Sequence, residues 1–310
     1  MTHLTKNKTM RHQTLLFILT LILIMSSLLV GCDNQSPAVI FAAESAPTES
    51  NTETVTPLPT VTTTPTIAPT STPTVTPTPT SDWVFNPSGE VIAPILLYHH
   101  VDGEVSEERY QVSIPDFQAQ MQMLYDNGYE AITMTTLVNA MLKGGDLPPK
   151  PVVITFDDGY QDVYDNAFPI MQQYGFPGVF FIVANRIRDI DGFVNIPELD
   201  DMINNGWEIG SHSFTHMDIV ADHSRAMQEI YESKTELEDA LNIPVNTFAY
   251  PFGKLDKFVA DKVSEYGYRA GIGLGLSNKH SLRSLYYIQR REVYGEYTLE
   301  DFENLLQVVN

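Results

Sequence analysis

From Trp83 onward the chain alternates short, largely apolar segments with longer stretches of helical periodicity, and this alternation restricts its fold more than any other feature. The apolar segments are APILLY (93–98), PVVITF (151–156), GVFFIV (178–183), GWEIGS (206–211), VNTFAY (245–250), YRAGIG (268–273) and YYIQRREV (286–293). A strand that is apolar on both faces has no side to show water, so it belongs in a parallel sheet covered by helices. The helical stretches agree. IPDFQAQMQMLYDNG sets Pro115 in the first turn, Phe117, Met121 and Leu124 on one face, and Gly128 at the stop. HSRAMQEIYESKTELEDAL (223–241) repeats the stripe with Met227, Ile230, Leu237 and Leu241, and DKFVADKVSEYG and TLEDFENLLQVV follow the same pattern. Seven such units fit a barrel-like α/β fold better than an open sheet. In either architecture the side chains that do chemistry belong at the C-terminal ends of the strands.

The chain ahead of this domain reads differently. Lys6, Lys8 and Arg11 precede the apolar run TLLFILTLILIMSSLLV, and LLVGC resembles a bacterial lipobox, so residues 1–31 are expected to be a lipoprotein leader and Cys32 the lipidated N-terminus. The competing reading is an uncleaved membrane anchor, because the run approaches the ~20 residues that a span requires. Residues 32–82 are Thr/Pro repetition with almost nothing to bury, expected to be a disordered, semi-rigid tether. At ~3 Å per residue it would hold the folded domain, residues 83–310, on the order of 100 Å from a membrane. The expected location is therefore outside the cytoplasm, at the cell surface or in the periplasm. Cys32 is the only cysteine, which excludes an intrachain disulfide and a thiol nucleophile in the folded part. A net charge of −21 argues against nucleic acid or an anionic membrane surface as an electrostatic partner. A monomer is expected.

Four strand ends carry unusual polarity: TFDDG with Asp157 and Asp158, GSHSFTH with His212 and His216, YHHVDG with His99 and His100, and FAYPFGK. Taken singly, each has a bland explanation, since DDG is most often a solvated turn and Tyr-Pro-Phe-Gly another. In a parallel α/β fold, however, these ends converge on one face. One carboxylate and two imidazoles then form a three-ligand metal site with positions left open. Adjacent residues leaving a strand point in different directions, so Asp158 can join His212 and His216 on a cation while Asp157 stays free as a general base.

TFDDGY, GWEIGSHSFTH and FAYPFG, in this order, resemble the polysaccharide deacetylases of carbohydrate esterase family 4, the NodB-homology domain, across residues from about 93 to 309. The resemblance implies a distorted (β/α)7-type barrel and hydrolysis of N- or O-acetyl groups on a sugar polymer, commonly of N-acetylglucosamine. It implies Asp157 as base and Asp158, His212 and His216 as ligands of a divalent metal, zinc first and cobalt or nickel as alternatives. Two departures stand out. Ala249 occupies the place of an arginine that orients the base, and Phe252 the place of a tyrosine whose backbone N–H stabilises the oxyanion. The Phe252 N–H can still donate, and Arg290 is the candidate replacement for the arginine. The C-terminal Leu-x-His is absent, and His280 in LSNKHSLRS is expected to be a solvated loop residue. ILLYHHV instead resembles the opening of the poly-β-1,6-N-acetylglucosamine deacetylases, whose barrel is circularly permuted, and this implies His99 as general acid, with His100 as the second choice. Peptidoglycan or acetylated xylan are alternative substrates, and a carbohydrate-binding lipoprotein of weak activity is the alternative role. Trp83, Trp207 and Tyr250 are either sugar platforms or core, with Trp207 expected to be buried.

Overall fold

Seven parallel strands close into a barrel in the computed structural model, which describes residues 82–308 apart from Glu107 and Asp189. The expected leader, Cys32 and the tether up to residue 81 lie outside the described residues. The barrel strands are β1 (Ile95–Tyr98), β2 (Pro151–Phe156), β3 (Val179–Ile182), β4 (Glu208–Ser211), β5 (Thr247–Ala249), β6 (Ala270–Leu274) and β7 (Ile288–Glu292). Each pairs with the next in sequence, and β7 returns to β1 with Arg291 opposite Leu96, while Tyr98 lies opposite Phe156 across β1 and β2. All seven apolar segments picked from the sequence are therefore the seven staves.

Strand alternation sorts the side chains into two sets. Leu96, Tyr98, Ile154, Phe156, Phe180 and Ile182 face outward and pack on the helices, while Ile95, Val153, Val179, Phe181, Ala249, Ile272 and Ile288 fill the interior. Burying each such side chain contributes roughly 1.5–3 kcal/mol. Gly210 is required in this interior, because a Cβ there would meet the Phe181 ring at 2.5 Å.

The helices are α1 (Ile114–Asp126), α2 (Met134–Lys143), α3 (Phe168–Gln173), α4 (Ile196–Asn204), α5 (His223–Leu241), α6 (Lys257–Glu265) and α7 (Leu299–Leu306). Phe117, Met121 and Leu124 are buried on α1 as expected, and Ser113 caps its start by accepting from the Asp116 N–H. On α5 one expectation fails. Met227 is 37% exposed, and Ala226 is the buried residue in that turn, while Ile230, Leu237 and Leu241 are buried as expected. Met134, Leu137, Val138 and Met141 of α2 join the interior cluster. The Glu208 carboxylate ties α2 to the strand starts, accepting from the Thr135 N–H at 2.7 Å and from Thr247 Oγ1 at 3.0 Å. With the N-terminal ends of the strands covered by α2, the open face is the C-terminal one. Among the described residues no helix is long and apolar enough to cross a membrane.

Candidate active site

Asp157 and Asp158 leave β2, His99 leaves β1, His212 leaves β4, Phe252 lies three residues past β5, and Arg290 points inward from β7. The backbone around them is unusual. Five non-glycine residues have positive φ among the described residues, and four belong to these loops: Asp158 (74°), Ser213 (65°), His216 (66°) and Phe252 (59°). Each costs an L-residue roughly 1–2 kcal/mol, so the surrounding contacts must enforce it, and strain of this kind concentrates where function requires a particular geometry. Gly159, at φ 86°, turns the chain away directly after the aspartate pair.

Asp157 is 3% exposed and gripped by Arg290, whose Nη1 and Nη2 donate to its two oxygens at 2.7 and 2.8 Å. Arg290 Nη1 also donates to Thr155 Oγ1 at 3.1 Å, and Thr155 in turn donates to the Leu96 carbonyl at 2.8 Å. Burial by itself would raise the Asp157 carboxyl. The charge of Arg290 and its hydrogen bonds to the carboxylate outweigh it and hold the group down at about 2.

Beside this pair stand the three expected ligands. His212 Nδ1 donates to the Ala249 carbonyl at 2.9 Å, which fixes the tautomer and leaves the Nε2 lone pair facing the site. His212 Nε2 is 3.6 Å from Asp157 Oδ2, and His216 Nε2 is 3.4 Å from Asp158 Oδ1. One donor atom each from Asp158, His212 and His216 lies within 4.8 Å of the others. A carboxylate oxygen and two imidazole nitrogens are the donor types that zinc, cobalt and nickel accept, and small side-chain rotations would bring them to the ~2.0–2.2 Å bonds of a shared ion. The residues fit the cation.

The two histidines after β1 diverge. His99 is half-buried, with its ring centroid 4.9 Å from that of Tyr110. Burial lowers its pKa, against the charges of Asp157 and Asp158, which pull it up. His100 turns away to Asp162, with Nδ1 and Oδ2 2.6 Å apart, and stacks on Tyr160 at 3.8 Å. Burial lowers this imidazole too, but the hydrogen bond and charge of Asp162 prevail and its pKa is raised. Phe252 is 55% exposed, and its ring meets His216 edge-on at 4.6 Å.

Other expectations resolve as follows. His280 is not solvated: it is 1% exposed, and its Nε2 donates to the Ala93 carbonyl at 3.0 Å. Trp207 is buried against Phe156, and Tyr250 is buried with its hydroxyl donating to the Tyr286 carbonyl at 2.9 Å, so both are core. Trp83 is exposed but donates to Glu130, which pairs with the first residue of β2, at the end of the barrel opposite the site. Two residues at the site escaped sequence reasoning. Arg186, beyond β3, places Nη1 3.5 Å from Asp158 Oδ1 and stacks on Phe193 at 4.6 Å. Glu229 sits on the buried stripe of α5, where a charged residue at apolar spacing was the available signal.

The family profile described as polysaccharide deacetylase matches residues 144–271, a span that includes Asp157, Asp158, His212, His216 and Phe252 and stops short of Arg290 and, at the other end, His99. The chain is 30% identical over 189 residues to the poly-beta-1,6-N-acetyl-D-glucosamine N-deacetylase of Staphylococcus epidermidis, covering 54% of this chain and 64% of that one. It is 23% identical over 237 residues to the protein of the same name in Escherichia coli K12, covering 61% of this chain but only 35% of that one. The Streptococcus pyogenes deacetylase PplD, solved in complex with acetate, shares the fold with a TM-score of 0.64 at 21% identity, over 70% of this chain and 99% of that one.

Proposed function

The chain carries a polysaccharide deacetylase domain over residues 144–271, and we propose that it hydrolyses N-acetyl groups on an N-acetylglucosamine polymer outside the cytoplasm. One observation carries this reading: Asp157 is held by Arg290 outside the donor set of Asp158, His212 and His216, yet only 3.6 Å from His212. A protein that merely binds sugar or metal has no use for a second buried carboxylate kept ionised there.

Amide hydrolysis needs a base for water, a donor for the oxygen that gains charge, and an acid for the departing nitrogen. Asp157 is the base; the Arg290 fork fixes both of its oxygens, so the attacking water meets a carboxylate in one orientation. When bound, a divalent cation on Asp158, His212 and His216, zinc before cobalt or nickel, would polarise the acetyl carbonyl and acidify water, which suits a base as weak as Asp157. The Phe252 N–H donates to the developing oxyanion. His99 delivers a proton to the nitrogen as the C–N bond breaks, releasing acetate and a free amine. The amine is protonated near neutral pH, so a neutral surface polymer becomes cationic. The names of the staphylococcal and E. coli relatives favour a β-1,6 linkage as the first substrate to try. Anchorage through a lipid on Cys32 and action as a monomer complete the reading.

The test is acetate release by the zinc-replete chain from β-1,6- and β-1,4-linked N-acetylglucosamine oligomers and from acetylated xylan. Release from the β-1,6 oligomers is expected, lost in Asp157→Asn with zinc retained, and lost together with zinc in Asp158→Ala or His212→Ala. Oligomer binding without acetate, or near wild-type turnover in Asp157→Asn, would overturn the reading. Release from xylan alone would move the reaction from nitrogen to oxygen.

A further inference from the structure

We propose that Glu229 sets the shape of the loop presenting His216 and thereby the affinity of the site for its cation, an inference that rests on the metal reading above. Ala226, Ile230, Ser233 and Leu237 form the buried stripe of α5, and Glu229 lies among them with 3% of its surface exposed. A carboxylate so placed must be met by donors. They all come from one loop: Oε2 accepts from the N–H groups of Phe214 at 3.0 Å and Thr215 at 2.7 Å, and Oε1 from Thr215 Oγ1 at 2.6 Å. Arg225, largely exposed, stands 3.6 Å from Oε1. Within the loop, Ser213 Oγ accepts from the His216 N–H at 2.9 Å.

This loop needs a hold. It joins the two histidine ligands, His212 and His216, and both Ser213 and His216 adopt positive φ. A chain free to relax would leave that region and carry His216 away from Asp158, whereas His212 is pinned separately through its ring by Ala249. Glu229 fixes the two peptides between the strained residues, so the helix dictates where the second imidazole stands. What matters is reach rather than charge. A glutamine can turn its carbonyl oxygen to the two N–H groups and donate its amide to Thr215 Oγ1, whereas an aspartate keeps the charge but falls short by one methylene, about 1.5 Å.

The experiment measures zinc affinity by chelator competition for the wild-type chain and for Glu229→Gln, Glu229→Asp and Glu229→Met, alongside thermal melting of each metal-free protein. Glu229→Gln should bind zinc like wild type, and Glu229→Asp and Glu229→Met should bind at least about tenfold more weakly, the scale on which outer partners of metal ligands act. If the methionine variant does not fold, the aspartate and glutamine variants decide. Weak binding by Gln with wild-type binding by Asp would make the effect one of charge and overturn the proposal. So would a lowered metal-free Tm in Asp and Met with zinc affinity unchanged, which is the signature of a purely structural contact. A wild-type chain that takes up no zinc would instead sink the metal reading itself.

Discussion

Arg290 and Asp157 lie 133 residues apart in the chain and meet in two parallel hydrogen bonds of 2.7 and 2.8 Å, both side chains almost wholly buried. Arg290 comes from β7 and Asp157 from the end of β2, with β1 between them, so only closure of the barrel brings them together. Ala249 stands where the family resemblance implies an orienting arginine, and the Arg290 guanidinium reaches the Asp157 carboxylate from another strand. The role is set by the position of the charge in space, which topology can supply from more than one strand.

Removing that guanidinium should act on stability and on chemistry at once. Arg290→Met leaves a buried carboxylate without its cation and should cost about 3–5 kcal/mol in denaturant unfolding. Burial then governs Asp157, whose pKa should climb from about 2 toward and past its ordinary 3.8, moving the acid limb of the activity profile to higher pH. Arg290→Lys keeps a charge but loses the fork, so it should recover stability better than turnover. An acid limb left in place by Arg290→Met would show that Asp157 is not the group titrating there.

The alkaline limb separates the two histidines of ILLYHHV. An acid must carry its proton, so kcat/KM should fall about tenfold per pH unit above the pKa of the group responsible. Burial sets His99 below 6.5, while Asp162 holds His100 above it. A limb beginning below 6.5 that disappears in His99→Gln, with a rate loss of about 10²–10⁴-fold, is the expected result. A limb above 6.5 that survives that substitution would transfer the role to His100.

Much of this molecule was legible from the sequence because its signals are local. Most of the strands are largely apolar, and Asp157, Asp158, His212 and His216 lie within two short motifs at strand ends, so alternation of strand and helix was enough to bring them together. What escaped depends on contacts between distant segments. Arg290 could be suspected, but its grip on Asp157 follows from barrel closure. Arg186 is an unremarkable polar residue past β3 until Asp158 and Phe193 are placed beside it. His280 looked solvated because its neighbours Ser277, Asn278, Lys279 and Ser281 are polar; pairing of 279–281 with 90–92 buries it instead.

That burial makes His280 a source of acid sensitivity remote from the chemistry. Its ordinary pKa of 6.5 is lowered in the folded chain by desolvation, so the unfolded chain takes up the proton first as pH falls. The stability it contributes is fully present above 6.5 and is lost as pH drops through 6.5 toward the folded value. His280→Gln should therefore flatten the decline in unfolding free energy between neutral pH and mildly acid conditions, measured by urea titration at several pH values. A decline as steep as that of wild type would place the sensitivity elsewhere.

Phe252 offers a way to separate a backbone donor from the side chain that surrounds it. At φ 59° the residue pays for its Cβ, and glycine does not, so Phe252→Gly should hold the same turn while keeping the N–H in place. If the N–H is what the reaction uses, Phe252→Gly should retain kcat within about tenfold, which is 1.4 kcal/mol of barrier. Phe252→Ala keeps the left-handed cost of roughly 1–2 kcal/mol without the ring that packs on His216, so it should be the less stable and the less active of the two. Should both variants lose turnover alike, by a hundredfold or more with zinc still bound, the exposed ring would be the working part of the residue, and the oxyanion would need another donor.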